Sequence, residues 1–268
     1  MTVTAPYALA PVARAAGYSL DHCFTCASTN QRALQFDKAK APDIGSAIWF
    51  TTDQQTDGRG RQGRIWQSGQ GNLTASLLLA LPKDTKDLHL LSFVAAIALH
   101  ETLMEMLGSN GAELALKWPN DLLLKGAKLA GILLETQFLP DKSQTVVIGF
   151  GVNVNSAPKG MPYPVTAISK HCGPVSAQDV FLALSASWHN SFSLWDYGLG
   201  NAKVLSRWRK SAYAIGELVQ VNHSGKDISG TFCDIDQQGR LIIETATGEK
   251  QTISAGGFQI LPRLQGNI

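Results

Sequence analysis

The sequence predicts an α+β fold: a mixed, largely antiparallel sheet packed with helices, followed by a small C-terminal all-β module. Three observations lead there. Strand-type and helix-type periodicities alternate through residues 18–212, and four short apolar runs between residues 114 and 148 are separated only by turn signals. From Ile215 onward the texture changes to short β-type runs alone. With 268 residues, 44% hydrophobic and 16% charged, the chain has material for one large domain with a small appendage. A formal net charge of +2 is too weak to point to a nucleic-acid partner, so any electropositive site has to be local.

The elements follow in order. Residues 1–16 are rich in Ala and Pro and lack a compact apolar block after a basic start, so they read as a flexible leader and not as a signal peptide. Tyr18, Leu20, His22 and Phe24 alternate with small or polar residues, which predicts a strand. Ser28-x-x-Gln31 directly after it has the pattern of a helix capping box. Gly45 to Thr52 predicts a second strand, and Asp53 to about Gly71, without periodicity, a long loop. Leu73 to Leu81 is a buried-type strand ended by Pro82. Leu88, Leu91, Ala95, Ala98, Leu99, Leu103 and Met106 then recur at helical spacing before Gly108. The runs at 114–116, 122–124, 132–134 and 146–148 predict four successive antiparallel strands. After a Pro-rich loop from Ser156 to Pro174, helices are expected over Ala177 to Trp195 and around Lys203 to Ala212. A domain of residues 17–214 would then give way, near Ala214, to a β module of residues 215–268 with turns at 223–225, 236–239 and 247–248.

No stretch approaches the run of about 20 uninterrupted apolar residues expected of a membrane span, which with the absent signal peptide predicts a cytoplasmic protein with no membrane partner. The four cysteines are too scattered for a disulfide framework. Cys23-x-x-Cys26 has ligand or redox spacing but neither the second pair a zinc site needs nor a thioredoxin-like context, so it reads as two small residues at a strand end.

The segment richest in chemistry is Gly58-Arg59-Gly60-Arg61-Gln62-Gly63-Arg64, three guanidinium groups between three glycines after a strand. Formally it contains GxGxxG, but Gln67-Ser68-Gly69-Gln70-Gly71 cannot continue the helix that a dinucleotide turn requires. An RGG-type nucleic-acid tract would repeat, and this one does not. A solvated loop and an anion site remain. Planar guanidinium forks match carboxylate and phosphate oxygens, while the glycines admit a ligand close to the backbone. Such a loop repels itself when empty and is expected to order around anionic substrates. Lys117-Trp118-Pro119-Asn120-Asp121 reads equally as a hairpin turn or as a polar site at a strand end. Lys128, taken alone, reads as a solvated strand-end lysine.

Taken together and in order, Ser28-Thr29-Asn30, the Gly58 to Arg64 loop with Trp66, Lys117 to Asp121, Lys128 to Glu135 (KLAGILLE) and Gly149 to Asn155 (GFGVNVN) resemble the biotin–protein ligase family. The resemblance is strong over about residues 18–155, extends to a C-terminal barrel over 215–262, and is only general over 156–214. It implies a class II synthetase-like catalytic domain that activates biotin with ATP and Mg²⁺ and passes it to a lysine of a biotin carboxyl carrier protein, acting as monomer or homodimer. By position it implies that Ser28, Thr29, Asn30, Gln55 and Gly131 line the biotin pocket and that Arg59, Gly60 and Arg61 close over it. It further implies that Arg61, Arg64, Trp66, Lys117, Asn120 and Asn153 hold ATP, and that Lys128, with Arg61, is catalytic, reaching the biotin carboxylate and the α-phosphate. No dedicated metal ligands are implied.

Two departures stand out. About 17 residues precede the first expected strand, too few for the DNA-binding domain of the family's repressors, so no operator binding is expected. Gln62 stands where many relatives carry a basic residue. Lipoate–protein ligases share the fold and chemistry and form the nearest alternative, with a non-catalytic RNA-binding protein the alternative from another class.

Overall fold

The structure is a computed structural model and describes residues 6–37, 41–138, 144–223 and 225–261. Seven strands, β1 (Ser19–Cys26), β2 (Ala47–Gln55), β3 (Leu73–Leu81), β4 (Leu114–Lys117), β5 (Asp121–Leu124), β6 (Ala127–Phe138) and β7 (Gln144–Val152), form one sheet in the order β1-β2-β3-β7-β6-β5-β4. Within it β1 and β2 run parallel and the other neighbours antiparallel, the mixed sheet the sequence predicts. The four apolar runs become β4 to β7, and the helical spacing after Pro82 becomes α3 (Leu91–Leu107).

Both faces of the sheet are covered, which is why β2, β3 and β7 read as continuous apolar runs. Successive residues of a strand point to opposite faces. On β2, Trp49 packs its ring 5.5 Å from Phe150 and 5.3 Å from Phe181 of α4 (Ala177–Trp195), whereas Phe50 faces the other way and meets Phe36 at 5.4 Å. The first face carries the main core with α3, α4 and α5 (Asn201–Lys210); the second carries a small cluster of Ile48, Phe50, Leu78 and Val147 beneath Ala33 of α2 (Thr29–Leu34). Helix α4 begins with a complete capping box between Ser176 and Asp179. At α2 only half of the expected box forms: Ser28 Oγ accepts from the Gln31 amide, but the Gln31 side chain accepts from Arg59 instead of returning to the cap.

Two expectations need correction. Residues 6–16, expected as part of a flexible leader, are packed: Pro11 opens the short helix α1 (Pro11–Ala15), Tyr7, Leu9 and Ala13 are buried, and the Ala10 amide donates to Ser185 Oγ at 2.9 Å. The physical reason is that small alanines let α1 lie close against α4, while Tyr7 supplies an aromatic anchor 5.6 Å from Phe181. Residues 1–5 lie outside the described residues. Second, the helical segment Leu88–Gly111 is long and apolar enough to cross a membrane by length and composition, but 67% of its most apolar window is buried inside the molecule, as befits a core helix. The expected C-terminal β module is an antiparallel sheet of β8 (Leu218–His223), β9 (Lys226–Ile235), β10 (Leu241–Glu244), β11 (Lys250–Ile253) and β12 (Phe258–Ile260) in the order β11-β10-β9-β8-β12. Val219, Val221, Phe232, Leu241 and Ile243 bury its inner face in continuity with the main core. Arg209 of α5 bonds Asp234 at 2.6 Å across the junction.

Because Tyr7 is buried against two elements, Tyr7→Ala should lower stability by about 2–4 kcal/mol in urea unfolding. A loss below about 0.5 kcal/mol, the size of an ordinary surface substitution, would mean that the segment is loose after all.

Candidate active site

Sheet register builds the floor of the site. Thr52, Thr74, Gly151, Gly131, Asp121 and Lys117 are successive cross-strand partners across β2, β3, β7, β6, β5 and β4. Directly paired residues project from the same face, so one row runs from hydroxyls through two bare glycines to a carboxylate and an ammonium. The missing side chains matter. A Cβ on Gly151 would collide with the indole of Trp66, and one on Gly131 would stand 3.3 Å from it. In the adjacent row Gly149 pairs with Ser76 and Leu133, and a Cβ there would collide with the Asn30 carboxamide.

An irregularity aims Lys128. In a regular strand residues 128 and 131 would face opposite ways, but β6 carries one extra residue against β5: Leu122 pairs with Ala130, and Leu123 with Lys128. The bulge turns Leu129 into the core, where it is fully buried, and brings Lys128 onto the face of Gly131. Backbone bonds from the 164–166 segment fix it there: the Lys128 amide donates to Pro164 O at 2.8 Å and its carbonyl accepts from Thr166 at 2.9 Å. Its ammonium reaches Asp121 Oδ1 at 2.8 Å and lies 5.7 Å from the Trp66 ring and 5.8 Å from that of Tyr163. Lys128 is therefore not the solvated strand-end lysine that its local sequence describes.

The entrance to α2 forms a buried polar niche. Ser28, Thr29 and Asn30 are each 4% exposed. Gln55 Oε1 accepts from the Thr29 amide at 2.9 Å, and the Asn30 Nδ2 donates to Glu135 at 2.7 Å while its Oδ1 accepts from Ser76. Thr29 and Asn30 are held by strand residues and Ser28 by the helix it caps, so the niche is preorganised. Above the floor the arginine loop folds back on itself: the Gly60 amide donates to Arg64 O at 2.7 Å, the Trp66 amide to Gly58 O at 2.9 Å, and Gln62 takes a left-handed φ of 56°. Arg61 donates to Asn120 Oδ1 at 3.0 Å, tying the loop to the turn after β4.

These parts enclose one cavity of about 850 Å³. Five cationic side chains line it, Arg59, Arg61, Arg64, Lys117 and Lys128, against the carboxylates of Asp121 and Asp227. Burial lowers the pKa of Lys117 below that of an ordinary lysine; Asp121 opposes the shift and Lys128 adds to it. Arg61 is likewise lowered, first by burial and then by Arg64, against Asp121. Two like charges held partly out of water gain from any anion placed between them.

Of the residues expected at the site, Ser28, Thr29, Asn30, Gln55, Arg59, Gly60, Arg61, Arg64, Trp66, Lys117, Asn120, Lys128 and Gly131 all line this cavity. Asn153 does not: it is 1% exposed and its amide group bonds Thr166 O at 3.0 Å, so its place is under the 164–168 segment. Sequence reasoning missed Gly149 and Gly151 as floor positions, Asp121 as the partner of Lys128, and Tyr163 in the Pro-rich loop. The signal for the first two was the Gly-x-Gly alternation inside an otherwise apolar strand; a lone tyrosine in an irregular loop carried none.

Residues 23–153 match the biotin/lipoate A/B protein ligase family, and residues 214–261 match the biotin protein ligase C terminal domain. The chain is 35% identical over 236 residues to the biotin–[acetyl-CoA-carboxylase] ligase of Paracoccus denitrificans, covering 85% of this chain and 95% of that one. With the bifunctional ligase/repressor BirA of Bacillus subtilis it shares 31% identity over 242 residues, 85% of this chain and 70% of that protein. Among solved structures, a biotin protein ligase from Aquifex aeolicus in complex with biotin and ATP superposes with a TM-score of 0.74 at 25% identity, over 91% of this chain and 98% of that one. With the motif residues gathered in one cavity and relatives of this identity matched over most of their length, the chain belongs to the biotin protein ligase family.

Proposed function

We propose that this cavity carries both half-reactions of ATP-dependent biotin–protein ligation. A carboxylate oxygen of biotin attacks the α-phosphorus of ATP, pyrophosphate leaves, and biotinyl-5'-AMP forms. The ε-amine of a lysine on a biotin carboxyl carrier protein then attacks the acyl carbon, AMP leaves, and an amide results as the amine loses its proton. The observation that carries this reading is the position of Lys128. Its ammonium stands on the site face, paired with Asp121 and beside Trp66, in the cavity that the polar niche and the arginine loop also line, which supports a role between a carboxylate and a phosphate.

In this reading the niche of Ser28, Thr29, Asn30 and Gln55 supplies hydrogen-bonding groups to the ureido ring, over the floor at Gly131 and beneath Arg59, Gly60 and Arg61. Arg61, Arg64, Lys117 and Asn120 hold the nucleotide, with Trp66 as a packing surface for the adenine. Two anions approach each other only with cations around them, and preorganised donors in a water-poor site are worth a few kcal/mol each in the transition state. The folded-back loop also keeps water from the mixed anhydride, which hydrolysis would waste. Asn153 acts one step back, holding the segment that pins Lys128. Among the described residues no cluster of His, Cys, Asp or Glu could hold a metal, and the Asp121 carboxylate is engaged by Lys128. Mg²⁺ would arrive with ATP and supply charge neutralisation on its phosphates. The reaction is assigned to the cytoplasm, where ATP and carboxylases meet.

The deciding experiment is pyrophosphate release from Mg-ATP with biotin, lipoate or no acid, followed by mass analysis of an added carrier domain. Release with biotin alone and one biotinyl group per carrier are expected; release with lipoate alone would change the substrate and keep the fold. Lys128→Ala should reduce adenylate formation by about a hundredfold to a thousandfold while the fold, read by thermal unfolding, is kept; adenylation at the normal rate would remove Lys128 from the mechanism. Because the pKa of Lys117 is lowered, its charge is lost at lower pH than the about 10.4 of a free lysine. KM for ATP should accordingly rise on the alkaline side before that value, and Lys117→Arg should move the rise upward. A rise unmoved by that substitution would assign it to another group.

A further inference from the structure

The C-terminal module and the linker before it grip three consecutive residues at the point where β4 runs into the turn of the site. The backbone of Leu116 pairs with the linker: its amide donates to Ser211 O at 2.7 Å and its carbonyl accepts from Tyr213 at 2.8 Å. The Lys117 ammonium lies 5.1 Å from the centroid of the Phe258 ring, on β12. Trp118, 2% exposed, donates its indole N–H to Gly239 O at 2.9 Å. Gly239 closes the β9–β10 hairpin, at a φ of 69° and with Phe93 so near that a Cβ would stand 2.7 Å from its ring. That carbonyl is a fixed reference point, because the Asp236 carboxylate also accepts from the amides of Gln238 and Arg240 on either side of it.

Lys117 needs such a reference. Its cross-strand partner Asp121 has its carboxylate 2.8 Å from Lys128, and among the described residues the Lys117 ammonium has neither an ion pair nor a hydrogen bond. Besides the electrostatic attraction of Asp121, the electron-rich ring of Phe258 is what its ammonium lies against. An aromatic ring attracts a partly desolvated ammonium without offering an acceptor that would compete with phosphate oxygens. A four-carbon stem otherwise leaves its head free over several rotamers.

We infer that the C-terminal sheet positions Lys117 for the nucleotide, with Phe258 as the positioning residue. This rests on the nucleotide role proposed for Lys117 above. Phe258 is buried, itself lines the cavity, and packs 5.6 Å from Phe232, so its ring is rigidly mounted. The C-terminal module is thus part of the adenylation site, acting through a residue of the larger domain.

The test is a double-mutant cycle on the full chain, reading KM for ATP and for biotin by pyrophosphate release, with Lys117→Gln, Phe258→Leu and the pair. Phe258→Leu should raise KM for ATP about threefold to tenfold, leave KM for biotin in place, and add nothing in the Lys117→Gln background. Phe258→Tyr, which keeps the ring, should restore the wild-type KM. If Phe258→Leu loses the fold, Phe258→Met keeps the volume without the ring and should give the same pattern. An equal rise in both backgrounds, or an equal rise in the two KM values, would overturn the inference and leave the function standing. A Lys117→Gln variant with unchanged KM for ATP would remove both this inference and the nucleotide role of Lys117.

Discussion

The site depends on a strip of sheet from which side chains are missing. Gly131 and Gly151 face each other across β6 and β7, and only there can an indole lie on the backbone. That strip is kept in phase by its neighbours on the opposite face. Ile132, Ile148, Phe150 and Val152 alternate with the glycines and are buried in the main core. A slip of one residue in the pairing would expose that apolar set and put β-branched side chains on the floor, so the energy that fixes the register is core burial. Stability and function share the same strands here, each using one side of them.

Charge is the second constraint. Burying two of the five cations on this cavity works against folding: burial lowers the pKa of Arg61 and of Lys117, and Arg64 and Lys128 respectively add to it. Asp121 relieves part of this by pairing with Lys128. The remainder is a repulsion that an anionic ligand removes, so substrate binding and local stability are linked. Proteins commonly depart from the best local choice at functional sites, and this row of like charges is such a departure.

How much was legible in the sequence depended on whether one residue's neighbours carried the signal. The strands and helices from Tyr18 to Lys210 could be read because apolar periodicity reports burial directly. The arginine loop, the turn at Lys117 to Asp121 and Lys128 could be named as candidates, but their convergence follows from strand order, which periodicity does not encode. The bulge at Leu129 was invisible, since an extra residue leaves an apolar run looking continuous. Residues 6–16 were misread because Ala and Pro suit both a loose leader and a close-packed short helix, and only the partner surface on α4 decides between them. Asn153 was expected at the nucleotide by its motif, whereas its buried amide bonds Thr166 of the 164–168 segment.

The cavity also divides its labour by element. Gly131, Asp121, Lys117 and Lys128 sit on strands whose hydrogen bonds run through the whole sheet, so their mutual distances are fixed before any ligand arrives. Arg59, Arg61, Arg64 and Trp66 sit on a loop folded on itself by the Arg59–Ile65 bridge and joined to that frame by the Arg61–Asn120 bond. A reaction that must admit two substrates, hold a water-sensitive intermediate and then receive a protein cannot be built from rigid groups alone. The frame supplies the geometry that an in-line displacement requires, and the loop supplies charge that can be added or withdrawn. Arg61 is where the two meet: its partner Asn120 is bonded through its own side chain and backbone to Ile132, one residue from the glycine floor, so the position of the loop is registered on the strand that carries Lys128.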